Sequence, residues 1–444
     1  MSSVWTETVK MPEFGTLKRD IRTNVLIIGG GMAGILCAYF LQQAGVDYCL
    51  LEGREICSGV TRNTTAKITA QHGLIYDKLL RYGGREKAGL FLKANQLAVK
   101  RYRDLGWLID CDMEEADAFV YERENRKKLE REVRALEHLG YPAELIEHPN
   151  LPFETVGAVR FERQAQFHPL KFAAAIAKNL HIYEHSPVRE MTEYFALTDK
   201  GSVAAEKVIV ATHFPFINRR GNYYLKMYQE RSYVLALKQA ARVDGMYIDG
   251  EKGGLSFRNY GDYLLFGGGS ERTGKKKDGF EQLREAARRY YPDAEIVTEW
   301  ATQDCMSLDG MPYIGRYSSH TPDLFVASGF HKWGMTGAML SAIVLSDLVQ
   351  GRENEFALIF SPSRNILKPQ LAINAWEAMK GILRPYGGCR CSHMGCVLQW
   401  NAGEQTWDCP CHGSRFAYTG EVLDNPALHQ MKRFGKMKKE HADG

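Results

Sequence analysis

Residues 391–414 read CSHMGCVLQWNAGEQTWDCPCHGS. Cys391 and His393 form a C-x-H pair, and Cys409 and His412 form a C-x-x-H pair after 15 intervening residues. Two thiolates with two imidazoles suit two kinds of metal centre. Zinc accepts that set tetrahedrally. A [2Fe–2S] cluster accepts it with both cysteines on one iron and both histidines on the other. A zinc finger places its two histidines after its two cysteines, usually on a helix. Here each loop supplies one of each, amid Gly, Pro and Trp. The pattern favours the cluster, with Cys391, His393, Cys409 and His412 as ligands. A metal-free disulfide domain is the weakest reading for a chain in a reducing compartment. Cys389 is an additional thiol that reads as a bystander or an alternative ligand.

A second chemical signal lies near the start. VLIIGGGMAG holds G-x-G-x-x-G as Gly29, Gly31 and Gly34. The first glycine makes a tight turn, the second admits a pyrophosphate, and the third lets a helix close on a strand. The helix N-terminus adds N–H donors and a positive dipole. Glu52 follows 18 residues after Gly34, at the end of DYCLLE, where an acid can bind ribose hydroxyls. This reads as a dinucleotide site; a glycine-rich turn without ligand is the bland alternative. The motif alone does not choose between NAD and FAD.

Other signals carry less. His181, Glu184 and His185 spell H-x-x-E-H, but HIYEHSPVREM reads as strand and turn, which cannot align both histidines as a zinc helix does. His168-Pro169 reads as a helix start. His72 can touch a flavin or simply pack. Arg231 can meet a substrate carboxylate, although an ion-paired or solvated arginine is the simpler reading. The charged run at 122–132, ERENRKKLERE, reads as a solvated helix face.

These groups need elements to hold them. Residues 24–52 read as strand, turn, helix and strand, a βαβ unit of a parallel sheet. Residues 85–105 and 126–140 read as surface helices away from that sheet. Residues 228–300 hold short β-like runs that suggest an antiparallel sheet. Leu324 to Ala327 reads as a strand followed by a helix over 336–350. The chain has 444 residues, 45% of them hydrophobic and 25% charged, which is ordinary globular composition. A net charge of +4 gives no reason to expect nucleic acid as a partner. No apolar run reaches the length of about 18 residues that a transmembrane helix needs. MSSVWTETVKMPEF lacks the pattern of a secretory leader, so the cytoplasm is the expected compartment. The tail KMKKEHADG is expected to fray.

On these motifs the chain resembles the glycine/D-amino-acid oxidase-like flavoenzymes. CSGVTRNTTAKITAQHG (57–73) resembles that family's second flavin-contacting segment, and VASGFHKWGMTGAML (326–340) its final FAD motif. DGMPYIG (309–315) and VIVATH (208–213) also match. The resemblance implies FAD as cofactor. Beside Gly29, Gly31, Gly34 and Glu52, it assigns FAD contacts to Gly59, Thr61, Thr64, Thr65, Ala66 and Lys67. From the final motif it adds Gly329, Lys332, Trp333, Gly334, Met335 and Thr336. The C-terminal cluster resembles the respiratory type of Rieske protein, which implies a disulfide between Cys396 and Cys411. Ser414 matches the serine that bonds a cluster sulfide in that type. Phe416 stands where a tyrosine is expected, so fewer hydrogen bonds reach sulfur and the potential is expected to be lower. The module also looks shortened to its cluster-binding half.

The expected fold is therefore α/β. A Rossmann-like FAD-binding domain is interleaved with an antiparallel-sheet substrate domain, and a small C-terminal β module of Rieske type follows. The expected limits are 1–360 for the oxidoreductase, 361–384 for a linker and 385–444 for the module. Within the first, FAD parts fall at about 20–80, 155–215 and 300–350, and substrate parts at about 81–154 and 216–299. The resemblance implies a dehydrogenase of an amine or amino-acid-like small molecule. Its electrons would leave the flavin through the cluster to an acceptor protein. Reversed flow from a donor protein, and a redox carrier or sensor without substrate, are the alternatives. Arg231 and Lys332 are the weak candidates for catalytic residues.

Overall fold

The computed structural model describes residues 2–217, 220–275, 279–383 and 388–434. The first sheet is built on strand Ile21–Ile28, which pairs in parallel with Tyr48–Leu51 on one side and Ser202–Val210 on the other. Leu324–Ser328 extends the sheet beyond Ser202–Val210. Val25, Leu26, Ile27 and Ile28 are all buried, as expected of a strand covered on both faces. Helix Met32–Gln43 packs against helix Gly334–Val349, both rich in Ala, Leu and Met with few polar side chains. Truncating a core residue here, such as Leu41 to Ala, costs about 2–5 kcal/mol.

The second sheet has nine strands and is mainly antiparallel. Its long members are Met227–Lys238, Tyr263–Arg272 and Glu295–Ser307, with Met227–Lys238 paired to both others. Glu114–Glu122 and Gly157–Gln166 form its other half. This corrects two expected boundaries. Gly157–Gln166 lies in a segment expected in the FAD part and Glu295–Ser307 straddles the expected limit between 299 and 300, yet both pair wholly in the second sheet.

The helix expected at 85–105 is longer and deeper than expected, which is a second correction. It runs from Tyr76 to Gly106, bent at Gly84, and buries Ala88, Phe91, Ala94, Asn95, Ala98 and Tyr102. It packs on Gly334–Val349. Its density of charged residues hid an apolar stripe at helical spacing. The run at 122–132 is likewise not all solvated. Glu122 and Glu132 are both 1% exposed. The Glu132 carboxylate accepts hydrogen bonds from the N–H groups of Tyr76 and Asp77 at 2.8 Å each, closing the start of the long helix. Burial pushes its pKa up to about 7.

The C-terminal module has a four-stranded sheet, Gln399–Asn401, Thr406–Asp408, Arg415–Ala417 and Val422–Asp424. A two-stranded pair, Gly388–Arg390 with Lys432–Phe434, closes its other side. The segment expected as a linker holds helix Pro369–Leu383, and this helix lies directly on the cluster loops. A Cβ added at Gly381 would come within 2.5 Å of the Cys411 Sγ. The tail at 436–444 lies outside the described residues. Among the described residues no helix is long and apolar enough to cross a membrane.

Candidate functional site

Two sites share one wall. The first is a cavity of about 900 Å³ between the two sheets, which falls in the size range of ligand sites. Gly29, Gly31 and Glu52 line one end, at the carboxyl edge of the parallel strands. Gly29 has φ +109°, a conformation that only glycine adopts without strain. A Cβ at Gly34 would come within 1.9 Å of the Gly29 carbonyl oxygen, so only glycine allows the helix to close on the turn. Gly31 caps helix Met32–Gln43 without a side-chain bond, and Gly31, Met32 and Ala33 at its start line the cavity. The Glu52 carboxylate accepts from Gly30 N at 2.6 Å and Arg54 N at 2.8 Å. Thr61 Oγ1 accepts from Met32 N at 3.1 Å. This cradle fits a dinucleotide.

Gly59, Thr64, Thr65, Lys67, Lys332, Trp333, Gly334 and Met335 also line the cavity. Ala66, Gly329 and Thr336 stand behind it. Ala66, His331 and Lys332 all have positive φ, 52°, 51° and 72°. Non-glycine residues hold that strained backbone only where the surroundings enforce it. For Ala66 the enforcing group is Arg258, which no sequence signal singled out. Its buried guanidinium donates to the carbonyls of Thr65, Ala66 and Phe167. Burial and nearby Arg258 lower the Lys67 pKa to about 7, so an anionic ligand would favour its charged form. His72 stacks on Trp333, with ring centroids 4.6 Å apart, and its Nε2 meets Thr336 Oγ1 at 2.9 Å. Burial holds its pKa down at about 3, so it packs as a neutral ring along the cavity.

Lys332 reaches across to the second sheet. Its Nζ donates to Ser232 Oγ at 2.9 Å and Ser270 Oγ at 2.8 Å, with Glu230 at 3.4 Å. Glu230 is fully buried and also pairs with Lys252 at 2.6 Å. Burial opposes its charge, but Lys332 and Lys252 prevail and hold its pKa below the usual carboxylate range. Glu230 and Asp304, opposite each other in the sheet, both line the cavity. Sequence reasoning missed both, because their convergence depends on strand register.

The second site is the cluster centre. Its two loops fold nearly alike. Gly395 N donates to Cys391 O and Gly413 N to Cys409 O, each at 2.9 Å. Cys391 N donates to Cys396 O and Cys409 N to Ser414 O, again at 2.9 Å. Gly395 and Gly413 both take positive φ, 76° and 83°. These turns place Cys391 within hydrogen-bond reach of Cys409 and bring the His393 and His412 rings to 5.0 Å between centroids. Two thiols therefore sit together and two imidazoles sit together, as a two-iron centre with unlike irons requires. The Nδ1 of His412 is buried without a hydrogen-bond partner, a lone nitrogen suited to a metal. Burial lowers the two histidine pKa values to about 4 and about 3, so both rings are in the neutral ligating form. The residues present fit the cluster. Cys396 and Cys411 are free buried thiols whose Sγ atoms lie within 4.8 Å of each other and of Cys409. Cys389 is buried beside them. Ser414 Oγ accepts from Ala427 N at 3.0 Å, and Phe416 is fully buried.

The family models match in two blocks. Residues 24–348 match the FAD dependent oxidoreductase model and residues 370–435 the Rieske [2Fe-2S] domain model. The chain belongs to the FAD dependent oxidoreductase family and carries a C-terminal Rieske domain. YhfW of Bacillus subtilis (strain 168), a Rieske 2Fe-2S iron-sulfur protein by name, is 34% identical over 97% of this chain and 96% of its own. Gamma-glutamylputrescine oxidoreductase of Escherichia coli (strain K12) is 24% identical over 78% of this chain and 88% of its own. Among solved structures, glycine oxidase from Geobacillus kaustophilus superimposes with a TM-score of 0.65 at 22% identity, covering 78% of this chain and 99% of that one. The cofactors are thus FAD and a [2Fe–2S] cluster, and the chain is a flavin-dependent oxidoreductase.

The FAD dependent oxidoreductase and Rieske parts meet on the second sheet. Gln229 Nε2 donates to the His412 carbonyl at 2.8 Å and to the Asn425 carbonyl at 2.9 Å. Gln303 Nε2 donates to Gly413 O at 2.8 Å. Arg272 donates to Pro410 O and Cys411 O at 2.8 Å each and to Asn374 Oδ1 at 3.1 Å. Arg231 pairs with Glu404, whose carboxylate also takes the Arg415 guanidinium at 2.7 Å. The structure therefore puts Arg231 in the interface between the two parts and Lys332 in the cavity. Sequence reasoning missed Gln229, Gln303 and Arg272, since nothing in their local context marks them as interface residues.

Proposed function

We propose that the protein is a dehydrogenase of an amine or amino-acid-like small molecule that sends its electrons from flavin through the Rieske cluster to an external one-electron acceptor. The observation that carries this reading is the shared wall. Gln229 holds the backbone of the cluster ligand His412, while its strand neighbours Tyr228 and Glu230 line the flavin cavity. Leu423, Asn425, Ala427 and Leu428 of the module line the same cavity. FAD, when bound, supplies hydride acceptance, and the cluster supplies one-electron transfer.

The chain's own residues do the rest. Gly29, Gly31 and Glu52 hold the dinucleotide, and Arg258 fixes the strained Thr65–Ala66 turn beside it. Lys332, held by Ser232, Ser270 and Glu230, presents a fixed ammonium to the cavity. Glu230 is neutralised by Lys332 and Lys252, and burial pushes the Asp304 pKa up, so that wall offers Asp304 as a hydrogen-bonding partner for an amine rather than a net charge. The name of the Escherichia coli relative supports an amine substrate, and that of the Geobacillus neighbour an amino-acid one. The cluster loops are held against the second sheet by Gln229 and Gln303, the sheet whose residues line the cavity.

The test is anaerobic. Holoprotein is mixed with candidate amines and amino acids, followed by flavin bleaching and by electron paramagnetic resonance of the cluster. Substrate-dependent appearance of the reduced-cluster signal, with turnover on an artificial one-electron acceptor, is the expected result. Peroxide formation in air at the full turnover rate, with the cluster staying oxidised, would refute the reading.

A further inference from the structure

Helix Pro369–Leu383 is inside out. Its polar side chains point inward: Asn374 is buried against Arg272 and the Leu225 carbonyl, and Gln370 bonds Asn374 at 3.1 Å. Glu377 pairs with Lys275 at 2.9 Å and Lys380 at 2.8 Å. Its apolar side chains point outward. Ile373, Trp376, Met379, Ile382 and Leu383 are all exposed, with Trp376 at 55% and Leu383 at 73%, and Leu367 just before the helix is exposed too. Single exposed apolar residues are ordinary, but six on four turns make a patch that marks an interaction surface.

The charges around the patch indicate its occupant. The one acid on the helix, Glu377, is neutralised by two lysines. Lys368 and Lys380 flank the apolar side chains. Strand Gly388–Arg390 begins five residues after Leu383 and pairs with Lys432–Phe434. Residues 432–439, KRFGKMKK, hold five cations and no acid. An exposed apolar helix face with tryptophan, flanked in sequence by Lys368 and Lys380, in a chain whose residues 432–439 are polybasic, has the composition of an interfacial membrane anchor.

We propose that this face docks the protein on an anionic lipid surface, with the apolar side chains of Ile373, Trp376, Ile382 and Leu383 entering the headgroup boundary. The helix is packed on the cluster loops through Gly381, so docking brings the Rieske module to the bilayer. The proposal holds for either direction of electron flow.

Holoprotein is sedimented with vesicles of phosphatidylcholine alone and of phosphatidylcholine with phosphatidylglycerol in equal parts. Partition onto the mixed vesicles is expected to be at least about tenfold stronger, weakening with salt. The double variant Ile373→Glu with Ile382→Glu is expected to lose roughly tenfold or more of that partition. Both positions are exposed, so its flavin absorbance and cluster signal should match those of the unaltered protein. Equal partition onto both vesicle types overturns the proposal, as does undiminished binding by the variant. A dimer, or a complex with a purified redox protein, that the same substitutions dissociate in the absence of lipid also overturns it.

Discussion

The flavin cavity takes its walls from segments as distant as Gly29 and Leu428, whereas the four cluster ligands come from two loops between Cys391 and Ser414. The cavity offers a ligand mostly backbone: bare glycines, a helix start and strained turns braced by Arg258. The proposed cluster centre offers four side chains whose spacing is local. A large, flexible dinucleotide needs an extended surface, and only a tertiary fold assembles one. A compact two-iron cluster needs four ligand atoms, and two matching turns suffice. Yet the cluster centre leans on its neighbour more than the cavity does. Its second loop is held from outside the module by Gln229, Gln303 and Arg272.

The largest effects should separate the two sites cleanly. Cys409→Ser removes one thiolate of the proposed ligand set and leaves the Cys396 and Cys411 thiols, which stand outside that set, within 4.8 Å of the position. The reduced-cluster resonance should vanish while the flavin absorbance per chain stays unchanged; loss of both would show that the cavity depends on the cluster. Gly34→Ala acts in reverse. Its Cβ would meet the Gly29 carbonyl at 1.9 Å, so most bound flavin should be lost while the cluster signal per chain persists. Retention of full flavin would show that the helix can shift at little cost.

A middle-sized effect probes the joint. Glu404→Gln leaves Arg231 buried without its carboxylate and should cost about 3 kcal/mol of module stability. Denaturant titration read by cluster absorbance would measure it, and a change below about 1 kcal/mol would mean that Arg415 and its partners carry the interface alone. Acid should act on the same network. Burial disfavours charge on Glu404 and Asp424, but Arg231 and Arg415 outweigh it and lower both pKa values. A lowered carboxylate stabilises the fold above its unfolded value, about 4 for these groups, and that contribution disappears as pH falls through the folded value. The cluster module should therefore loosen in acid below about pH 4, and less so in the Glu404→Gln variant. The smallest effect is one of tuning. Phe416→Tyr should raise the cluster potential in a redox titration, because a hydroxyl near the cluster stabilises its reduced form. An unchanged or lower value would show that the position does not face the cluster sulfurs.

Much of both sites was legible because it rests on short-range rules. Gly29, Gly31, Gly34 and Glu52 are spaced by the geometry of one βαβ unit, and the cluster ligands by two turns. The His168 start of helix Pro169–Ala177 was legible for the same reason, and its Nδ1 accepts from Lys171 N at 3.1 Å. Less legible was the depth of helix Tyr76–Gly106, whose charged residues hid its buried stripe. The membership of Gly157–Gln166 and Glu295–Ser307 was hidden too, because a strand's run of residues does not name its partner.

The sequence by itself determined the two cofactor motifs, the parallel βαβ start and the kind of chemistry each motif serves, since these depend on residue type at fixed local spacing. The tertiary structure alone decided that Arg231 faces Glu404 and not a substrate, that Arg258 braces the flavin turn, and that Gln229 joins the cluster backbone to the cavity wall. Those pairs lie 173, 192 and 183 residues apart in the chain. Contacts at such separation follow from strand register and packing, which no local pattern of residues encodes.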